Sequence, residues 1–142
     1  MRKTAVAFAV ISAIFCAPVA ALSPRTLARG ALKKNNFHYA VARFSAIAQG
    51  SSDATLVAEY AYALALMGFT DLSLAQLDRA LILDATNDEV LYYGSVLLAA
   101  MGLQDAAKEL SRPPPAWLGE DPPAVEALKS ERLAQLQASI MR

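Results

Sequence analysis

Apolar residues fall at helical spacing along most of this chain, and the breaks between the apolar runs recur. The stretch from Asp53 to Asp84 reads DATLVAEYAYALALMGFTDLSLAQLDRALILD. Its first part, Asp53 to about Met67, predicts a helix that is apolar nearly all round, with only Thr55 and Glu59 strongly polar. Such a helix has to be covered on several sides. Gly68 breaks it, and a second, amphipathic helix follows from about Asp71, with Leu74, Leu77, Ala80 and Leu81 inward and Asp78 and Arg79 outward. Asn87 to Leu110 repeats the plan, with a helix to Met101, a break at Gly102 and a short helix over about 103–111. Gly68 and Gly102 are 34 residues apart, as are Leu64 and Leu98, Ala65 and Ala99, and Met67 and Met101. Helix, glycine turn and helix at a period near 34 is the mark of an all-helical repeat scaffold.

The same pattern reaches upstream. Ser23-Pro24 suits a helix start, a capping hydroxyl followed by proline in the first turn. That helix is expected to reach about Lys34, with Lys33 and Lys34 at its dipole-favoured end and Asn35-Asn36 as the turn. A second helix is expected over Phe37 to Ala48, with Val41, Phe44, Ile47 and Ala48 on one face. Thr86 and Glu89 match a capping box for the fifth helix. Gly94 and Ser95 in its middle are poor helix formers, which points to a close helix crossing there. Residues 112–123 hold five of the seven prolines and Trp117, and read as a stiff extended connector. Asp121 and Pro122 then start a final helix over about 124–142. Its stripe of Val125, Leu128, Leu133, Leu136 and Ile140 suits the cap of a solenoid.

Composition adds a leader. Arg2 and Lys3 precede an apolar run, Ala5 to Ala17, that is too short to span a bilayer. Val19 and Ala21 fit the small-residue rule at a signal-peptidase site, so residues 1–21 read as a signal peptide and the chain as periplasmic or secreted. Cys16, the sole cysteine, falls inside that leader. The mature chain would then hold no disulfide, thiolate metal site or cysteine nucleophile.

The balance of 13 basic and 13 acidic residues conceals an asymmetry. Between Leu22 and Gly50 lie Arg25, Arg29, Lys33, Lys34 and Arg43 with no acid. Between Ser51 and Ser111 lie nine acids against Arg79 and Lys108. Enzyme chemistry has little to stand on. His38 is the single histidine and has no acid near it in sequence. Asp88-Glu89 and Glu120-Asp121 fall at helix starts, where acids serve the dipole. No phosphate loop or metal-ligand spacing occurs, so no cofactor is expected. Nucleic acid is not an expected partner for a chain whose basic end is this small.

The repeats resemble tetratricopeptide repeats in a degenerate form. Val57, Tyr60, Ala61, Leu64, Gly68, Leu77 and Ala80 match that family's pattern of small and large apolar residues. So do Leu91, Ser95, Leu98, Gly102 and Ala107, and, in a first repeat from Ala21, Leu27, Ala28, Ala31, Phe37, Ala40, Phe44 and Ile47. The family's closing proline is replaced by Ala85, and the third repeat runs into the proline block. The resemblance covers residues 22–111 and implies a right-handed solenoid of helical hairpins, about three repeats and a C-terminal capping helix. It also implies a non-catalytic adaptor whose concave groove, lined by the first helix of each pair, holds a protein or an extended peptide. Carried over, the groove residues are Arg25, Arg29, Leu32 and Lys33; Thr55, Ala58, Tyr62, Ala65 and Leu66; and Glu89, Tyr92, Val96, Ala99 and Ala100. Arg25, Arg29 and Lys33 would offer a cationic end to an acidic segment, with Tyr62 and Tyr92 as the floor. Both tyrosines equally suit packing between helices. The alternative is a structural subunit of an envelope complex that self-associates through its solenoid ends.

Overall fold

A computed structural model describes residues 22–119, 134 and 137–142. The leader, the Asp121 cap and the stripe residues Val125, Leu128, Leu133 and Leu136 lie outside the described residues. Between residues 24 and 109 the described elements follow one another as α1 (Pro24–Lys33), α2 (Phe37–Ala48), α3 (Ala54–Leu66), α4 (Thr70–Leu83), α5 (Asp88–Ala100) and α6 (Gln104–Glu109). Each packs antiparallel on the next, and α3 also packs on α5.

Local chemistry sets the boundaries. The Ser23 hydroxyl accepts from the Thr26 N–H at 3.1 Å, with Pro24 in the first turn. Asn35 takes the left-handed conformation, φ 59°, and the Asn36 N–H bonds back to the Ala31 carbonyl, which closes α1. Asp53 caps α3 through the Leu56 N–H. Gly68 and Gly102, at φ 84° and 83°, end α3 and α5 alike. Phe69 N–H reaches the Leu64 carbonyl at 3.0 Å, and Leu103 N–H reaches the Leu98 carbonyl at 2.9 Å. These are the same turn repeated 34 residues on.

The cap of α5 differs from expectation. Asn87, not Thr86, is the capping residue; its Oδ1 accepts from the N–H groups of Glu89 and Val90. Thr86 is occupied elsewhere, donating from both its N–H and its hydroxyl to Asp84 Oδ1. Asparagine caps at least as well as threonine, so nothing opposes the shift. Asn87 Nδ2 also donates to Thr55 Oγ1 at 2.9 Å, tying the starts of α3 and α5 together.

The core lies along α3, which is covered by α2, α4 and α5 as its all-round apolar character requires. Ala61 packs with Leu77 and Leu97. Its carbonyl accepts from the buried Ser73 hydroxyl at 2.6 Å. Ser73 therefore joins Leu77 and Ala80 on the buried face of α4, where Leu74 and Leu81 are half-buried. Arg79 does not point outward as expected. Its guanidinium donates to the carbonyls of Ala48, the last residue of α2, and of Ser51 in the loop that follows. A Cβ placed on Gly94 would lie 3.2 Å from Leu110 Cδ1 and 3.6 Å from Leu77 Cδ1, which explains a glycine inside α5.

Residues 111–115 are irregular, as the prolines require, but the segment does not stay extended. Leu118 and Gly119 N–H groups both turn back to the Pro115 carbonyl, at 3.0 and 3.3 Å. Leu118 joins the core cluster, and Trp117 packs against it. Ala134 and residues 137–140 are helical. Ile140, expected on a packed stripe, is the last residue of this helical stretch and is 82% exposed. Among the described residues no helix is long and apolar enough to cross a membrane.

Candidate functional site

The candidate site lies where α1, α3 and α5 meet, and it is built around Glu59. An apolar helix carries this carboxylate inward, where it is 0% exposed. Two arginines, one turn apart on α1, reach it from the neighbouring hairpin. Arg25 donates from Nε to Oε2 at 3.2 Å and from Nη2 to Oε1 at 3.0 Å. Arg29 donates to Oε1 from Nε at 3.1 Å and also from Nη2. Arg25 further bonds Asp53 through Nη1 at 3.0 Å. Burial works to lower the Arg25 pKa, but the bond and charge of Glu59, with those of Asp53, outweigh it and hold it above its ordinary value.

The far side of the cluster is aromatic. The Tyr62 and Tyr93 rings lie 5.1 Å apart, and Tyr92 meets Tyr93 edge-on at 5.3 Å. Trp117, carried on the turn after α6, places its ring 4.8 Å from the Arg29 guanidinium carbon. Glu89, half-buried at the start of α5, completes the set. Burial, with the charges of Glu59 and Asp53, raises its pKa against the lowering effect of Arg29 and Arg25. Tyr93 is pushed well up, by burial first and then by Glu59 and Glu89. Glu89 Oε2, Tyr93 Oη and Trp117 Nε1 are buried and find no hydrogen-bond partner among the described residues.

The residues singled out in the sequence divide by this geometry. Arg25 and Arg29 are brought together, but onto Glu59 and not toward solvent. Lys33 is exposed. Tyr62 and Tyr92 are buried, at 1% and 4% exposure, and Val96 is buried with them. Thr55 is half-buried and is held by Asn87. Counted together, two cations, Arg25 and Arg29, face three carboxylates, Asp53, Glu59 and Glu89, so the cluster is not a cationic end.

Sequence reasoning passed over Glu59, Tyr93 and Trp117. Glu59 and Tyr93 are 34 residues apart and hold the same position in α3 and α5, so the repeat period itself could have put them in one column. Trp117 had no such signal. His38 is exposed, and among the described residues no group of histidine, cysteine and carboxylate side chains is arranged to hold a metal ion. Neither a family model, nor a curated protein, nor a solved structure matches this chain.

Proposed function

We propose that the chain is an exported, tetratricopeptide-like solenoid, non-catalytic, that holds a protein or an extended peptide against the inner face of α1, α3 and α5. The observation that carries the reading is Glu89 at the start of α5, a half-buried carboxylate beside the Arg25–Arg29–Glu59 cluster whose Oε2 has no hydrogen-bond partner among the described residues. Polar groups in such positions are costly unless something pairs with them. A peptide backbone N–H can pair with such a carboxylate oxygen. The repeated turns at Gly68 and Gly102 and the α3–α5 contact support the solenoid. The leader of residues 1–21 supports a periplasmic or secreted location.

Pairing with Glu59 alters the part given to Arg25 and Arg29. They shape the face, and Lys33 and Lys34, both exposed, are left to attract an acidic segment. The test is capture from an envelope extract with the mature chain. A defined partner retained at moderate salt, and lost with Glu89→Arg, supports the adaptor. Retention unchanged by that substitution counts against this face.

A second reading, self-association through the solenoid ends, draws on Phe69, Leu72, Ile82 and Leu103, all exposed at 47% or more along α4 and at the hairpin turns. Self-association alone in the same experiment, with no other protein held, would favour it.

A further inference from the structure

The starts of α1, α3 and α5 share one edge of the molecule. Arg25, in the first turn of α1, bonds Asp53, the cap of α3. Asn87, the cap of α5, bonds Thr55 in the first turn of α3. Because successive helices are antiparallel, these three run the same way, and the turns that follow them line the opposite edge. Those turns are residues 34–36, 67–69 and 101–103, and α2, α4 and α6 begin from them.

Composition changes along this second edge. The first turn is basic, with Lys33 and Lys34 exposed. The other two are apolar and acidic. Phe69, Leu72 and Leu103 are 47%, 55% and 50% exposed. Asp71 and Asp105 stand exposed in the first turns of α4 and α6. Among the described residues none of these four charges enters an ion pair. Phe69 and Leu103 also hold the cap positions of α4 and α6, where a polar side chain is preferred, and neither supplies a capping bond. The first hairpin does use a polar cap there, Asn36. An apolar residue just past a glycine turn commonly packs back on the helix it closes. About half of each of these two side chains is nevertheless left uncovered.

We propose that this edge pairs with the same edge of a second copy across a two-fold axis at the middle turn, giving a closed dimer. A two-fold interface sets one patch against itself, so the patch has to be self-complementary. Reversing the edge about Phe69 brings Lys33 and Lys34 of one copy to Asp105 of the other, and does so at both ends. Phe69 and Leu72 of the two copies fill the middle, with Leu103 beside them. The apolar row supplies the affinity, and the charges fix the antiparallel orientation. Asp71 falls near the axis, so Asp71→Asn should strengthen the pairing. The dimer does not depend on the groove reading. It shares Phe69, Leu72 and Leu103 with the second reading above, but replaces open stacking through the ends with closed pairing through one edge.

The test uses the protein as recovered from its producing cell. Far-UV circular dichroism melts come first, and only folded variants are compared. Sedimentation velocity over a concentration series should show monomer and dimer and nothing larger. Lys33→Glu with Lys34→Glu, and separately Asp105→Lys, should each weaken self-association at least about tenfold. An equal mixture of these two variants should regain the dimer, because opposite charges then meet at both ends. A second measurement does not need those variants. Thr70→Cys with Cys16→Ser places a single thiol beside the axis, and a short bismaleimide should link it to its copy. Gln49→Cys in the same background, exposed on the far edge, should not be linked.

A wild type that stays monomeric across the series overturns the proposal. So does a mixture that fails to pair, a weaker dimer with Asp71→Asn, or linking at position 49 as strong as at position 70. Open polymers overturn it in favour of stacking through the ends. Capture of an envelope partner by a monomeric chain would leave the groove reading intact without this dimer.

Discussion

Removing Arg25 and Arg29 together should destabilise the fold far more than removing Glu59. The asymmetry follows from exposure. The two arginine side chains are 29% and 28% exposed, so without Glu59 they can turn to water, whereas Glu59 at 0% exposure cannot. Breaking a buried pair from the side that leaves a buried charge costs about 3–5 kcal/mol. Arg25→Gln with Arg29→Gln is placed at that level. Glu59→Gln keeps an acceptor oxygen and strands only cations that can be hydrated, so about 1–3 kcal/mol is expected. The decisive comparison is with the triple variant, in which all three are changed to glutamine. It carries no stranded charge and should recover most of what the double variant loses. At about 4–8 °C per kcal/mol for a domain near this size, the double variant should melt at least about 10 °C low and the triple well above it. Thermal melts and urea titrations of the wild type and the three variants measure this. A triple variant no more stable than the double, or a double variant within about 1 kcal/mol of wild type, would refute the reasoning.

Ala61→Leu should overpack the contact with Leu77 and Leu97 and cost about 1–3 kcal/mol; an unchanged melting temperature would mean that α4 and α5 have room that the structure denies. Asn87→Ala removes the α5 cap and the bond to Thr55, for about 1–2 kcal/mol, while Thr86→Ala should cost less than half of that. Glu89 is held above the ordinary glutamate value of 4.5, so the folded state keeps a proton that the unfolded chain gives up just above that pH. Stability attributable to this residue therefore falls as pH rises through that window. Glu89→Gln should raise the melting temperature at about pH 7 and leave it nearly unchanged at about pH 3.5, and a lower melting temperature at the higher pH would contradict this. Mass measurement of the protein from its producing cell should show a chain beginning near Leu22, and full-length chain in the membrane fraction would count against the leader.

Much of the helical layout was legible because it depends on local chemistry. The Ser23-Pro24 start, the Asn35-Asn36 turn and the glycine breaks are each decided by residues adjacent in sequence. Where two neighbours could do one job, the sequence did not decide between them. Thr86 and Asn87 both cap well, and the choice fell to Asp84, which engages the threonine. Arg79 read as a surface charge because its acceptors, the carbonyls of Ala48 and Ser51, lie about 30 residues back on another hairpin. The burial of Tyr62 and Tyr92 was equally out of reach. Their positions suit either the floor of a groove or the space between helices, and the Tyr93 ring that contacts both sides of the stack decides for the latter.

The basic run between Leu22 and Gly50 illustrates a wider point about repeat chains. Arg25 and Arg29 on α1 lie against α3 of the following hairpin, so they meet its side chains first. Counting charges by segment assigns Arg25 and Arg29 to a basic end, yet both bond a carboxylate 34 and 30 residues further on. The acids after Ser51 are likewise reduced by Glu59 and Asp53, which that pairing engages. Among the described residues, the exposed charges outside that cluster include Lys33, Lys34 and Arg43 on the first hairpin, and Asp71, Asp78, Asp84, Asp105, Lys108 and Glu109 on the later ones. A partner steered by these charges would sense a weaker dipole than the sequence advertises, and its association should fall only modestly with salt. On the scaffold reading proposed above, selectivity would come from close fit beside α1 and α3, where Glu59 fixes the plane of Arg29.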